Sequence, residues 1–349
     1  MNYPVAADSA AIAAAALLLE AGGLVAFPTE TVYGLGADAE NPAAVGLIYR
    51  AKERPANHPL IVHLAPEADA GYWSSDVGNS ARRLMDAFWP GPLTLILPRA
   101  RHIPDAVAGG QQSIGLRCPA HPVAQALLRA FRHGRGGIAA PSANRFGQVS
   151  PTMSRHVRDE FGTQPLVGCI LEGGQSSVGI ESTIIDLTRG VPVLLRPGHV
   201  TAAQVATVLG TWPAAPDAAA PRASGTLEGH YAPRAPLALV AADAALSTAQ
   251  ALLDNGHRLA CLHHGALAAL APVTPAGRLL AQACLPAEPH GYAHRLYASL
   301  RQLDNSDPDL ILVEAPPAGS AWLAVNDRLQ RAAHGSASIL DAMLASPPR

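Results

Sequence analysis

The first 210 residues alternate short apolar runs with longer segments in which apolar residues recur every three or four positions. Short apolar runs bounded by Gly, Pro or polar residues predict β-strands, and the wider spacing predicts amphipathic helices. Capping residues mark helix starts at Asp8, Asn41 and Thr201, and Pro42 suits a first helical position. The strands predicted in this way cover residues 24–28, 59–64, 93–98, 113–117, 137–141, 183–187 and 193–195.

A second region with the same alternation follows a break. Residues 211–236 are rich in Pro and Ala and have no apolar periodicity, which is typical of a linker. Beyond the linker, strands at 237–241, 258–262 and 309–313 alternate with helices near 246–255, 290–303 and 321–334. The pattern therefore predicts an α/β domain over residues 1–210, a linker over 211–236 and a small parallel α/β domain over 237–349.

Composition agrees with a globular protein of two domains. The chain has 349 residues, of which 49% are hydrophobic and 15% charged, so a disordered chain is excluded. The net charge of −2 gives no bulk reason to bind nucleic acid, although a local basic cleft remains open. The four cysteines are far apart and form no CxxC motif, which favours a reducing cytoplasm over a disulfide framework or a zinc site. No segment predicts a membrane span, and the apolar run 10–19 predicts a helix rather than a signal peptide.

One lysine, Lys52, stands against 24 arginines. An ammonium is a compact charge and a guanidinium is a wide planar fork, so a site that needs the former does not accept the latter. Lys52 and Arg54 close a predicted helix, where cations also complement the helix dipole. The dipole role and an anion-binding role both remain open for these two residues.

Further polar residues stand at strand ends, where a plain core would have apolar ones. Arg117 and Arg196 join Lys52 and Arg54 as candidate anion-binding cations, although Arg117 alone could be a surface residue. Ser142, Asn144 and Ser150 lie among small residues that allow a ligand to approach the backbone. Cations with neutral donors and few carboxylates suit a triphosphate together with a carboxylate. No P-loop, GxGxxG, Ser-His-Asp or Cys-His pattern is present, so the site is expected to position substrates and stabilise charge.

A set of motifs in one order carries a family resemblance. The motifs of the first domain are FPTETVYGLGADA, AKERP, HPLIVH, FWPGPLTLILP, AAPSAN, SPT, GIESTIID and LLRPG, followed by HYAP in the linker and AVNDRLQRAA near the C-terminus. With them the chain resembles the threonylcarbamoyl-AMP synthase family in its long, two-domain form. The resemblance implies an α/β fold: a YrdC-like domain with a twisted mixed sheet and a basic concave cleft, a linker that reaches the active site, and a small Rossmann-like domain.

The resemblance also implies the reaction. L-Threonine, bicarbonate or CO2, and ATP would give threonylcarbamoyl-AMP and pyrophosphate. The product would pass to separate proteins that transfer the threonylcarbamoyl group to tRNA, without stable nucleic-acid binding by this chain. Mg²⁺ is the expected companion of ATP, and no carboxylate cluster marks a magnesium site built by the protein alone.

Site residues are implied by motif position. Lys52 and Arg54 would be catalytic, among the phosphates and the carbonate-derived group. Threonine would be bound by Thr31, His63, Arg117, Ala140 and Ser182. ATP would be bound by Arg54, His58, Ser113, Ser142, Asn144, Ser150, Arg196 and Tyr231. The chain departs from the family at His58, where asparagine is usual, and at Phe146, where a small polar residue is usual.

Three other functions are compatible with parts of the pattern. An anion-binding protein without catalysis would have the same cations. A carbamoyl-transfer enzyme that uses carbamoyl phosphate can contain a similar domain, but its zinc-finger cysteines and acylphosphatase-like region are not visible here. A tRNA-binding module without catalysis would be expected to carry more basic charge and more aromatic residues.

Overall fold

The computed structural model describes residues 4–270 and 278–345. The chain divides into two compact units. Unit 1 contains the residues up to Phe146 together with Ser150–Thr226. Unit 2 contains Gly147–Val149 and the residues from Leu227 onward. The expected linker is thus shared, because residues 211–226 belong to unit 1 and residues 227–236 to unit 2.

The described part of unit 1 contains ten strands and seven α-helices. The strands are β1 (Pro4–Ala6), β2 (Leu24–Phe27), β3 (Gly34–Asp38), β4 (Ile61–Leu64), β5 (Leu93–Pro98), β6 (Ser113–Arg117), β7 (Gly137–Ala139), β8 (Val167–Glu172), β9 (Thr183–Asp186) and β10 (Val193–Arg196). The helices are α1 (Ser9–Glu20), α2 (Pro42–Lys52), α3 (Ala70–Trp73), α4 (Asn79–Phe88), α5 (Pro122–Ala130), α6 (Ser154–Phe161) and α7 (Ala202–Leu209).

The ten strands form one mixed sheet in the order β1-β8-β2-β3-β7-β4-β6-β5-β9-β10. Strand β4 pairs in parallel with β6, so that His63 lies beside Arg117, and antiparallel with β7. Strand β5 connects β6 to β9, which places the end of the FWPGPLT motif between two other predicted site segments. The mixed sheet predicted for the first domain is confirmed, and its order brings distant motifs together.

Both faces of the sheet are covered, and β2 shows how. Leu24 and Ala26 point to the core that contains Val45 and Ile48 of α2. Val25 and Phe27 point to the opposite core, with α1 and α5. A strand buried on both sides is continuously apolar, which explains why the sequence here shows no alternation.

The predicted helix starts are confirmed. Asp8 accepts a hydrogen bond from Ala11 N at 2.8 Å, and Asn41 accepts from Ala43 N at 3.0 Å. Thr201 and Gln204 form a reciprocal capping box at the start of α7. These caps are contacts between close neighbours in the chain, so the sequence alone reveals them.

Residues 211–226 pack on the sheet of unit 1 rather than forming a free linker. Ala223 belongs to an apolar cluster with Ile61, Ile96, Ile184, Val193 and Leu195. Arg222 N donates to Gln111 Oε1 at 2.8 Å, and Gln111 Nε2 donates back to Arg222 O at 3.0 Å. This segment therefore covers the face of β4, β5 and β9 next to the predicted ATP-binding residue Ser113.

Unit 2 is a smaller α/β unit. Its described strands are β11 (Leu237–Val240), β12 (Leu259–His263), β13 (Leu279–Cys284) and β14 (Leu310–Glu314), all parallel in the order β11-β14-β12-β13. Its described α-helices are α8 (Ala242–Asp254), α9 (Pro289–Asp304), α10 (Leu323–Ala332) and α11 (Ala337–Ala345). The small parallel α/β domain predicted from strand–helix alternation is confirmed.

Four of the described strands were not predicted from the sequence. Strands β1, β3, β8 and β13 are not predicted by the apolar pattern, and β3 lies inside the motif FPTETVYGLGADA and contains two glycines. Gly36 explains the glycines of β3, because a Cβ there would lie 2.7 Å from Ile138 Cγ2. None of the helices in the described ranges is long and apolar enough to cross a membrane.

Candidate active site

The end of α2 positions the single lysine. Lys52 is 1% exposed, and its Nζ donates to the main-chain oxygens of Ser142, at 2.6 Å, and Asn144. Burial and the nearby Arg54 hold the pKa of Lys52 well below its ordinary value, while Glu160 acts in the opposite direction. Lys52 thus ties the helix end to the turn at residues 142–144, and this is more than a helix-dipole contact.

Arg54 lies beside the aromatic ring of Phe146. Glu53 adopts a left-handed conformation (φ 54°), which ends α2 and turns the chain into Arg54. The Arg54 guanidinium lies 5.6 Å from the centre of the Phe146 ring, within cation–π range. His58 meets the same ring edge-to-face at 5.2 Å, and burial together with Arg54 and Arg222 lowers the pKa of His58. The two departures from the family pattern, His58 and Phe146, are therefore in contact with each other.

Three predicted threonine-binding residues are held by the centre of the sheet. Thr31 is buried, and its hydroxyl lies 2.9 Å from that of Thr29. His63 packs edge-to-face on Phe27, and burial, with a smaller effect of Arg117, lowers its pKa to about 3. Ala140 N donates to Ile61 O at 2.9 Å. His63 is consequently neutral near pH 7 and can contribute hydrogen bonds but no charge.

Arg117 has a carboxylate partner. Its Nη2 lies 2.6 Å from Glu30 Oε1, and the two side chains are 5% and 7% exposed. Its Nε donates to Gly91 O at 3.3 Å. Among the described residues, Nη1 has no protein partner. One nitrogen of the Arg117 guanidinium, a candidate anion-binding group, is therefore already engaged by Glu30.

Ser182 and Arg196 form a second buried group. Arg196 donates from Nε to Ser182 O at 3.0 Å and from Nη2 to Ser182 Oγ at 3.1 Å. Ser182 Oγ also lies 2.8 Å from Thr94 Oγ1. Arg196 Nη1 reaches Ser224 O at 2.7 Å, in the segment that packs on the sheet. This group thus joins β5, β9, β10 and residues 211–226.

The remaining predicted ATP-binding residues of unit 1 occupy different places. Ser150 is buried and donates to Glu181 Oε1 at 2.6 Å. Ser142 forms a bridge to Gly34 at the start of β3, and the Asn144 side chain donates to Arg145 O at 2.7 Å. Ser113 begins β6 and lines a small cleft together with Gly115, Arg222 and Ser224. Ser113 and Arg117 therefore lie at opposite ends of β6, about 13 Å apart at the usual rise of a strand.

Tyr231 belongs to unit 2. It is 1% exposed, has a left-handed backbone (φ 63°) and stacks on Tyr297 with ring centres 5.8 Å apart. The Arg328 guanidinium lies 5.3 Å from its ring centre. The expected contact of Tyr231 with ATP stays a prediction.

Two carboxylates and one turn were missed by sequence reasoning. Glu30 and Glu181 are buried beside Arg117 and Ser150, although both stand in motifs whose hydroxyl residues drew attention first. Gly91, in the motif FWPGPLTLILP, supplies a carbonyl to Arg117. A glutamate inside a run of apolar and small residues, as in Gly179–Thr183, is the signal that could have found Glu181.

A larger surface pocket of unit 1 contains none of the predicted site residues. Its charged lining is largely paired, since Arg132 binds Asp38 and Glu40, and Arg129 binds Glu67. It lies at the end of β3 and the start of β7, away from Gly34 and Ala140. The candidate active site is therefore separate from this pocket.

Fold and site define a class of protein: a two-unit α/β protein whose larger unit gathers four buried cations, hydroxyl groups and a neutral histidine around one mixed sheet. A family model described as telomere recombination, Sua5_yciO_yrdC, matches residues 17–198. A second, described as threonylcarbamoyl-AMP synthase, C-terminal domain, matches residues 200–334.

Similar proteins cover nearly the whole chain. A threonylcarbamoyl-AMP synthase of Pyrococcus abyssi is 36% identical over 91% of this chain and 92% of its own length. One of Bacillus subtilis is 38% identical over 93% of both. The crystal structure of P. abyssi Sua5 complexed with L-threonine superposes with a TM-score of 0.82 at 33% identity, covering 95% of this chain and 97% of that one.

The chain belongs to the threonylcarbamoyl-AMP synthase family. The resemblance carried by its motifs is thereby confirmed, and the carbamoyl-phosphate and RNA-binding alternatives gain no support from these relatives.

Proposed function

We propose that this protein condenses L-threonine, bicarbonate or CO2, and ATP to threonylcarbamoyl-AMP with release of pyrophosphate. The observation that carries the proposal is the match over almost the full chain to P. abyssi Sua5, a protein whose structure is described as complexed with L-threonine. The buried cations of unit 1 support it, because the reaction joins two anions.

The two substrates would lie along β6. Threonine would occupy the end near Arg117, with its carboxylate on the free Nη1 and with Thr31, His63, Ala140 and Ser182 around it. ATP would extend towards Ser113, the start of the strand. Its contacts would come from Arg54, His58, Ser142, Asn144, Ser150 and Arg196, with Tyr231 proposed in addition from its motif. The ends of β6, about 13 Å apart, would thus contact different substrates.

The chemistry would proceed in two bond-forming steps. The threonine amine attacks the carbon of CO2 or bicarbonate, and a proton, or water in the case of bicarbonate, leaves as the carbamate forms. A carbamate oxygen then attacks the α-phosphorus of ATP, and pyrophosphate leaves. Repulsion between the two anions is the main barrier, and Lys52 and Arg54 would lower it by electrostatic stabilisation inside a buried cleft.

Lys52 would act as the compact charge at the junction of the substrates. Its ammonium donates hydrogen bonds to two carbonyl oxygens. These acceptors are neutral, so they do not compensate the positive charge. A triphosphate beside it would favour the charged form and oppose the effect of burial on its pKa. Binding of ATP would thus raise the pKa of Lys52 from its value in the free protein.

Mg²⁺ is proposed to accompany ATP. No group of three or more His, Cys, Asp or Glu residues able to hold a metal occurs in the part of the chain that the structure describes. The ion would accordingly be held by the phosphates and water, as is common for Mg²⁺. We further propose a cytoplasmic location and transfer of the product to the proteins that modify tRNA.

The test is to incubate the protein with ATP, Mg²⁺, bicarbonate and each amino acid in turn, and to measure pyrophosphate. We expect release only with threonine and bicarbonate together, and a product with the mass of threonylcarbamoyl-AMP. Turnover that requires carbamoyl phosphate would refute the proposal in favour of carbamoyl transfer. Salt-sensitive retention on RNA without any turnover would favour an RNA-binding module.

A further inference from the structure

Glu30 is fixed at three points within unit 1. Its Oε1 contacts Arg117 Nη2 at 2.6 Å, and its Oε2 accepts a hydrogen bond from Ala120 N at 3.0 Å. Its main-chain oxygen accepts from Val178 N at 2.7 Å. The side chain therefore has little freedom to leave Arg117.

Arg117 is correspondingly oriented by two partners. Glu30 binds Nη2 and Gly91 O binds Nε, so the planar guanidinium is held along one edge. Nη1 is then the end that points away from both partners. A guanidinium fixed in this way offers its free nitrogen to a ligand without first losing rotational freedom.

We propose that Glu30 is a positioning residue for threonine binding that acts through Arg117; this rests on the proposed function. A carboxylate is required because two donors, Arg117 Nη2 and Ala120 N, converge on it. Glutamine has one acceptor and one donor, so its NH2 group would face one of these two donors. Glu30→Gln would keep the size of the side chain and lose the double anchor.

Glu30 could instead be a competitor for Arg117, and the two roles predict opposite effects. If the carboxylate merely neutralises Arg117, its removal strengthens the attraction for the threonine carboxylate and lowers the KM for threonine. If it orients the guanidinium, its removal raises that KM. We expect the second result, because a single free nitrogen depends on its partner bonds for direction, and small misplacements in such sites cost orders of magnitude.

The experiment measures the KM for threonine and for ATP in the full chain. For Glu30→Gln we expect the threonine KM to rise at least about tenfold, while the ATP KM stays within about twofold. Glu30→Asp keeps the charge and both acceptors, so a smaller rise is expected. Asp38→Asn is the matched control, because Asp38 is also a buried carboxylate paired with an arginine, Arg132, but it lies on β3, three strands away from Arg117 in the sheet order. It should leave the threonine KM unchanged.

A double-mutant cycle separates positioning from a general loss of stability. Arg117→Lys should raise the threonine KM or dissociation constant, and adding Glu30→Gln to it should change this value by less than about twofold. Additive effects, or an unchanged or lowered threonine KM in Glu30→Gln, would overturn the inference. If Glu30→Gln does not fold, the same comparison uses Glu30→Asp, whose threonine KM must then exceed that of wild type.

Measurements on the wild-type protein distinguish a failure of the proposed function from a failure of the role of Glu30. Absence of threonine-dependent pyrophosphate release and of threonine binding by calorimetry would refute the proposed function itself, and with it the role of Glu30. A threonine-dependent wild type with an indifferent Glu30→Gln variant would refute the role of Glu30 alone.

Discussion

Protonation of His63 in the unfolded chain should reduce the stability of this protein as the pH falls. The pKa of buried His63 is about 3 in the folded chain, against 6.5 for the free side chain. Below pH 6.5 the unfolded chain therefore takes up a proton that the folded chain does not bind. The free energy of unfolding should fall by about 1.4 kcal/mol per pH unit down to pH 3, and nothing is lost above pH 6.5.

Between pH 7 and pH 5, the free energy of unfolding is lost only in the part of the interval below pH 6.5. It spans 1.5 pH units, so His63 should contribute a loss of about 2 kcal/mol. His63→Gln retains hydrogen-bonding capacity and cannot ionise. Its own cost to stability is the same at both pH values, so only the difference between the two measurements matters.

The assay is urea denaturation of wild type and His63→Gln at pH 7, 6 and 5. We expect wild type to lose about 2 kcal/mol more than the variant over this range. His102→Gln, a change of an exposed histidine, is the control and should follow wild type. Parallel curves for wild type and His63→Gln would refute the reasoning, and NMR titration of the His63 ring gives the same answer without unfolding.

Three further predictions concern the site. Lys52→Arg should cut pyrophosphate release at least about tenfold, because a guanidinium is too wide to occupy the place between two carbonyl oxygens; full activity would contradict the role of the lysine. A chain ending after Gly210 should fold but lose activity. It should also be less stable to urea than a chain ending after Thr226, because the longer chain keeps the segment that packs on Ile61 and Ile96. Equal stability of the two chains would show that this packing is unimportant. Phe146→Ser should raise the KM for ATP about fivefold through loss of the contact with Arg54, and leave that for threonine unchanged, as steady-state kinetics would show.

The starts of α1, α2 and α7 follow from patterns between near neighbours. Asp8, Asn41 and Thr201 bond to residues two or three positions away, so their roles are visible in the sequence. Strand β3 is different: its glycines are required by close approach to Ile138 and Phe27, residues from other strands. Sequence rules treat such a segment as a loop because they do not contain the neighbour that makes glycine necessary.

The sequence by itself determined the two α/β domains, the capped helices, the ordered motifs and the candidate site residues. Only the tertiary structure decided that Glu30 holds one end of Arg117, that Lys52 binds the 142–144 turn and that residues 211–226 cover the sheet. Glu30 and Arg117 are 87 positions apart, and Lys52 and Ser142 are 90 apart. Contacts of this kind depend on strand order and register, which are set by packing of the whole sheet and not by neighbouring residues.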